Sequence, residues 1–231
     1  MANQVIRTAD GGSFNAYVAA PKGGKGPGLV VIQEIFGVNA WLREVADDLA
    51  AQGYVAMAPD LFWRLKPGIE LSAESEAQFQ EAIGYMQRFD EGKGVEDLKA
   101  TLAALRQHPA STGKAGSIGY CLGGRLAYLL ACRSDADANV GYYGVNLPAV
   151  LGEARNLKKP LMLHVAENDK FVPPAAQAQI KEGLKGLNQV TIHSYPGADH
   201  GFARRSSHAY NPEAAKLANA RSAEFLRRTL A

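Results

Sequence analysis

The sequence predicts an α/β protein, with a mostly parallel, twisted sheet covered by helices on both faces and formed as a single domain over residues 1–231. Three observations carry that expectation. Residues 29–33 and 54–58 are short apolar runs of the kind found in strands covered on both faces, where a half-exposed strand would alternate. Strand-like and helix-like stretches then alternate along the whole chain, with no low-complexity linker and no internal repeat. At 231 residues the chain can bury a sizeable core, and one α/β domain of this length needs no partner domain.

In order, residues 14–20 read as an early strand closed by the turn-rich 21–28. Residues 29–33 form a buried strand that stops at Glu34, 41–52 a helix, and 54–58 another buried strand. The polar stretch 72–90 reads as helical, and 96–107 carries Leu98, Leu102 and Leu105 at helical spacing before Pro109 stops it. A strand at 116–120 and a helix at 125–132 follow. Strands at 140–144 and 161–165 are separated by a loop and a short polar segment, then come a helix at 175–187, a last strand at 190–195 and a long helix at 212–229. Sheets of this kind place their sites in the crevice at the carboxyl ends of the strands.

Composition excludes several classes. The chain is 47% hydrophobic and 21% charged, and its net charge of +2 comes without a long basic run, so neither nucleic acid nor a membrane surface is implied. No apolar stretch approaches the roughly 20 residues of a membrane span, and residues 1–12 are too polar for a signal-peptide core, which makes a cytoplasmic protein the expectation. With two cysteines and no Cys/His ligand spacing, neither a disulfide scaffold nor a metal site is expected, and Cys132, in mid-helix, reads as packing.

The chemistry starts at Gly119-Tyr120-Cys121-Leu122-Gly123-Gly124, between a predicted strand and a predicted helix. Gly-x-nucleophile-x-Gly is the pattern of a strand-turn-helix elbow that presents a strained nucleophile. Cys121 could instead be a small buried hydrophobe beside packing glycines. Its candidate partners weigh against that. The strand at 161–165 ends in Ala166-Glu167-Asn168-Asp169, and the strand at 190–195 ends in Pro196-Gly197-Ala198-Asp199-His200-Gly201-Phe202. Cys121, Asp169 and His200 thus stand at strand ends in the chain order nucleophile, acid, histidine that an α/β-hydrolase fold uses.

Asp169 could still be a turn or capping aspartate ahead of Pro173, with Glu167 and Asp199 as rival carboxylates, and His200 could be a surface histidine. His108, His164, His193 and His208 lie in strands or polar connections and read as structure or surface. A free thiol has a pKa of about 8.5, so it needs an imidazole to take its proton near neutrality. His200 is placed to do that, and Asp169 to fix the imidazole tautomer. The backbone N–H of Leu122 would face the developing oxyanion, with a second donor after the 29–33 strand, most simply that of Ile35.

Five collinear segments spanning residues 29–204 carry a resemblance. They are Gln33-Glu34-Ile35-Phe36-Gly37-Val38-Asn39, Ala58-Pro59-Asp60-Leu61, the Cys121 elbow, Asp169-Lys170-Phe171-Val172-Pro173 and His200-Gly201-Phe202-Ala203-Arg204. Together they resemble the dienelactone hydrolase, or carboxymethylenebutenolidase, family. The resemblance implies an α/β-hydrolase fold, a monomer without cofactor, and hydrolysis of an enol-lactone (dienelactone to maleylacetate) in the degradation of chlorocatechol or related aromatics. It implies a Cys-His-Asp triad matching Cys121, His200 and Asp169. It also gives Glu34 the family's gating role, in which the carboxylate holds the resting thiol until a substrate anion displaces it.

Arg204 matches the family's carboxylate-binding arginine, suited to that task by its paired donors, and Arg205 reads as a solvated neighbour. Phe36, Tyr142 and Phe171 match pocket walls by position, although ordinary core aromatics would look alike. The family's second substrate arginine has no counterpart in Gln78-Phe79-Gln80, and the position after the histidine, often serine, is Gly201. A pocket with one arginine and Phe79 would accept larger or less acidic esters. The competing readings are a carboxylesterase or thioesterase of the same fold and a non-catalytic binder of a small acid. A doubly wound nucleotide binder lacks its Gly-x-Gly-x-x-Gly spacing.

Overall fold

The computed structural model describes residues 2–231. Its strands are β1 (Ala2–Arg7), β2 (Ser13–Ala19), β3 (Gly26–Ile32), β4 (Val55–Pro59), β5 (Ser111–Tyr120), β6 (Asn139–Tyr142), β7 (Leu161–Ala166) and β8 (Val190–Tyr195). They form one sheet in the order β1-β2-β4-β3-β5-β6-β7-β8. The helices are α1 (Ala40–Ala51), α2 (Glu76–Arg88), α3 (Glu91–Gln107), α4 (Leu122–Arg133), α5 (Pro174–Gly183) and α6 (Pro212–Leu230), with a 3₁₀ segment at Leu147–Asn156. The chain divides into two compact units, one ending at Ser117 and the other running from Ile118.

In the first unit β3 and β4 are parallel, and their apolar runs, 29–32 and 55–58, are fully buried. β1 and β2 pair antiparallel, and β2 pairs antiparallel with β4. The sequence pattern gave no strand at β1. Only Ile6 of its apolar pair is buried while Val5 is exposed, so the strand owes its existence to the ladder with β2. The helix expected over 72–90 is α2 and starts later, at Glu76. Ser75 caps it, its hydroxyl accepting from the N–H of Gln78, and the Ser72 N–H turns to the Gln78 side chain.

In the second unit β6, β7 and β8 are parallel. The register pairs Ala166 with Tyr195, so β7 and β8 end side by side and the loops bearing Asp169 and His200 leave the sheet together. α4 is buried along almost all of its length, which marks a central helix. α6 buries Ala214, Ala218, Ser222, Phe225 and Leu226, the three- and four-residue spacing of one helical face. Among the described residues no helix is long and apolar enough to cross a membrane, and no group of three or more His, Cys, Asp or Glu could hold a metal ion.

Candidate active site

β5 ends at Tyr120 and α4 begins at Leu122, which leaves Cys121 alone at the turn with φ 55° and ψ −113°. Such a conformation costs a non-glycine residue about 1–3 kcal/mol and persists only where its surroundings impose it. Here they do. The Cys121 N–H donates to the Tyr142 carbonyl at 3.0 Å, and the Cys121 carbonyl accepts from the N–H groups of Gly124 at 3.0 Å and Arg125 at 3.2 Å. The glycine that this packing demands is Gly124, where a Cβ would stand 2.5 Å from the Tyr142 carbonyl oxygen and 2.9 Å from the Gly144 Cα. A side chain there would push the helix off the end of β6 and carry the elbow with it.

Asp169 is 2% exposed, in the loop between β7 and α5. Its Oδ1 accepts from the N–H groups of Phe171 at 2.8 Å and Val172 at 3.2 Å, and its Oδ2 lies 2.7 Å from the His200 Nδ1. A carboxylate can only accept, so the Nδ1 carries the proton and the other ring nitrogen is left for the hydrogen bond that His200 shares with Cys121. Neither rival carboxylate is paired with the His200 ring in this way. Asp199 accepts the backbone N–H of His200 at 2.6 Å, and Glu167 joins the turn through its own N–H, which donates to the Tyr195 carbonyl at 3.2 Å.

Burial is the largest single influence on His200 and disfavours its imidazolium. The electrostatic interaction with Cys121 and the hydrogen bonds to Asp169 and Cys121 act the other way and prevail, raising it to about 10. Among the other histidines, His164 is buried in β7 with Nδ1 2.7 Å from the Tyr195 hydroxyl and Nε2 2.8 Å from Ser222 Oγ. Burial first, then His193 and Arg221, hold it well below the ordinary histidine range, so it is neutral.

Around His200 the expected residues fall into two kinds. Phe171 is 45% exposed and its ring centre lies 4.9 Å from that of the imidazole, with the Lys170 ammonium 5.3 Å from its own centroid. Arg204 is buried, and its guanidinium lies 3.5 Å from where a Cβ on Gly201 would stand, beside His200. Arg205 is exposed. Tyr142, by contrast, is fully buried and its hydroxyl is engaged by Asn219 at 3.0 Å and Ser222 at 2.7 Å. The tyrosine that meets the imidazole is its neighbour Tyr143, at 5.0 Å, which the sequence reading missed.

Leu122 opens α4, so its N–H is among the first four of the helix, which have no intrahelical acceptor. In the first unit, Glu34 and Ile35 are buried just beyond β3. Their loop is pinned. Gln33 accepts the N–H of Leu61 at 3.0 Å, the Phe36 carbonyl accepts that of Leu71 at 2.9 Å, and Asn39 caps α1 through the N–H of Leu42 at 3.1 Å. Asp60 shapes the neighbouring turn, accepting from Phe62 and Gly68. Phe36 and Phe79 are brought together, with ring centres 6.2 Å apart.

An α/β-hydrolase is the class that this sheet order and strand-turn-helix elbow define. The model of the dienelactone hydrolase family matches residues 14–230. The chain is 46% identical over 229 residues to an Azospirillum brasilense protein provisionally described as a carboxymethylenebutenolidase, covering 97% of each chain. It is 43% identical over 221 residues to the carboxymethylenebutenolidase of Pseudomonas putida, covering 96% of this chain and 94% of that one. A Klebsiella pneumoniae crystal structure, provisionally described as a dienelactone hydrolase, superposes with a TM-score of 0.85 at 26% identity over 98% of each chain. The chain belongs to the dienelactone hydrolase family and is a carboxylic ester hydrolase.

Proposed function

We propose that the protein hydrolyses an enol-lactone of the dienelactone type, giving a maleylacetate-type acid, with Cys121, His200 and Asp169 as its triad. The observation that carries this reading is His200, hydrogen-bonded to the Asp169 carboxylate through Nδ1 at 2.7 Å and to Cys121 at its other side. The Cys121 sulfur attacks the lactone carbonyl, and the N–H groups of Leu122 and Ile35 stabilise the oxyanion. Collapse breaks the ring C–O bond, and the departing enol oxygen takes a proton from the His200 imidazolium. The product is a thioester. Water, deprotonated by His200, then attacks that thioester, and the acid leaves as the thiol is restored. The relatives named carboxymethylenebutenolidase support this substrate class. A family match running through both compact units supports one domain over 1–231. The reading takes the enzyme as a cytoplasmic monomer without cofactor.

The test is turnover of cis- and trans-dienelactone by the purified protein beside a neutral p-nitrophenyl ester. Preference for the neutral ester would favour the second reading, a carboxylesterase, which the lack of a basic residue at Gln78-Phe79-Gln80 keeps open. Arg204 is assigned to the substrate carboxylate, with Phe36, Phe79 and Phe171 around the substrate; Tyr142, expected there from the sequence, is instead turned into the core and tied to α6. Arg204→Ala is therefore expected to raise KM for acidic lactones by about 10- to 100-fold, the loss of a charge-assisted pair, and to leave neutral esters nearly unchanged. Equal losses for both would make Arg204 structural. Phe79→Arg should shift preference toward the acidic substrate.

Glu34 is assigned the gate. His200 is raised to about 10 from an ordinary 6.5, so the stability its imidazolium contributes is full below 6.5 and lost as pH rises through about 10; the largest raising influence is its interaction with Cys121, so imidazolium and sulfur are placed to form an ion pair. A gating carboxylate has to hold that ion pair off until an anionic substrate arrives. Iodoacetamide should then alkylate the resting enzyme slowly, and faster with a non-hydrolysable acidic ligand. Glu34→Gln should react quickly and with little pH dependence between neutrality and pH 9, and should turn over acidic lactones poorly. Matching profiles for the two proteins, unmoved by ligand, would leave Glu34 a structural residue.

A further inference from the structure

The turn that closes β6 carries Tyr143, a residue outside the triad and its backbone donors. Tyr143 is a buried, bulky residue at φ 37°, in the left-handed region that favours glycine, immediately before Gly144. We propose that Tyr143 is a positioning residue for His200, its ring and that of Phe171 flanking the imidazole so that Nδ1 stays on Asp169 and the other nitrogen on Cys121. The proposal rests on the triad reading and deepens it.

The backbone on both sides of the Tyr142–Tyr143 peptide is fixed by groups that cannot move independently. The carbonyl of Tyr142 holds the N–H of Cys121 at 3.0 Å, and the N–H of Tyr143 donates to the His164 carbonyl at 2.8 Å. The Tyr142 side chain is tied to α6 through Asn219 at 3.0 Å and Ser222 at 2.7 Å. Ser222 is tied at 2.8 Å to His164, which reaches the Tyr195 hydroxyl at 2.7 Å. Relaxing Tyr143 to an extended conformation would break the hold on the nucleophile or this buried network. Strain imposed in this way, on a residue that glycine could replace at no backbone cost, points to a use for the side chain.

That side chain is aimed at the triad. The Tyr143 ring lies 5.0 Å from the imidazole at 62°, and it is backed by Phe202 at 5.5 Å and 71°. Phe171 meets the imidazole at 4.9 Å and 72°. Both contacts fall within the range of favourable edge-to-face packing. Swinging the imidazole off Asp169 would disturb both ring contacts. A side chain needed only to fill the core would demand neither the left-handed backbone nor this aim.

The variants are Tyr143→Phe, Tyr143→Leu and Tyr143→Gly, read by kinetics on an activated neutral ester. The resting enzyme is read by the low-field proton resonance of the His200 Nδ1–H shared with Asp169. Phe keeps the ring and should match the parent in both. Leu and Gly should lower kcat by about 10- to 100-fold, the scale of a misplaced catalytic group, with KM little changed and the low-field resonance broadened or lost. Glycine relieves the backbone strain, and circular dichroism confirms folding. Because Phe171 is exposed, Phe171→Leu folds regardless and should weaken the same resonance. Parental kcat and an unmoved resonance in the Leu or Gly variant, or an unmoved resonance in Phe171→Leu, overturns the proposal. The resonance is measured without turnover, so it stands apart from the triad reading, which fails instead if Cys121→Ala keeps activity.

Discussion

Cys121→Ala is expected to lose essentially all turnover of lactones and activated esters, about 10⁶-fold in kcat, the scale of removing a nucleophile that acts within a triad. The comparison that makes this specific is Cys132→Ala, which should stay close to the parent. Both thiols are buried, but Cys121 stands at the elbow with His200 beside it, whereas Cys132 lies in the last turn of α4. Burial pushes the Cys132 thiol up to about 11, against a smaller opposing effect of its hydrogen bond with Tyr128. At neutral pH it is a thiolate only about once in 10⁴ molecules, too rarely to serve. Steady-state rates and mass measurement of the trapped thioester check both variants. A Cys121→Ala enzyme with parental rates would falsify covalent catalysis by this sulfur. Replacing His200 should cost a comparable factor, since the sulfur would then lack its base and the leaving oxygen its acid.

The sheet and the strand-end positions of Asp169 and His200 were legible because their signals are local. Continuous apolar runs mark β3 and β4, since strands covered on both faces have no solvent side to alternate against. Asp169 and His200 each stand a few residues past a strand-like stretch, the first buried and the second only half-buried, and β7 and β8 are paired with their ends in register. What escaped depends on pairing or on backbone conformation. β1 buries only Ile6 and is held by its ladder with β2, so no pattern announces it. α5 ends at Gly183 and not at 187, its Leu184 cap already bonded back to Ile180 and Glu182. In Tyr142-Tyr143 nothing in the residue types says which ring the β6 register buries against α6 and which the left-handed turn directs at His200. A run of aromatic and glycine residues is silent about φ. Gly144 beside them was the one available hint, and it marks the close approach of α4 rather than the tyrosine before it.

Asp169→Asn should lower kcat by roughly 10³- to 10⁴-fold, less than loss of the sulfur, with little loss of stability. The reason lies in which donors surround each oxygen. Oδ1 is fixed by the N–H groups of Phe171 and Val172 at 2.8 and 3.2 Å, so an asparagine must place its carbonyl oxygen there to keep them satisfied. Its amide nitrogen then occupies the Oδ2 position, 2.7 Å from the His200 Nδ1. Two donors cannot share that bond. His200 must become an acceptor at Nδ1 and carry its proton on the nitrogen that faces Cys121, the tautomer unable to deprotonate the thiol. The charge and hydrogen bond of Asp169 that help raise His200 are lost as well, so the imidazolium should disappear at lower pH than in the parent. Two measurements check this together: the pH dependence of Cys121 alkylation with a non-hydrolysable acidic ligand bound, which should shift so that thiolate reactivity rises only toward the range of an ordinary thiol, and kcat for an activated ester, which should recover partly as pH rises and hydroxide removes the thiol proton in place of His200. Parental kcat with an unchanged alkylation profile would mean that Asp169 is a loop cap whose contact with His200 plays no part in the chemistry.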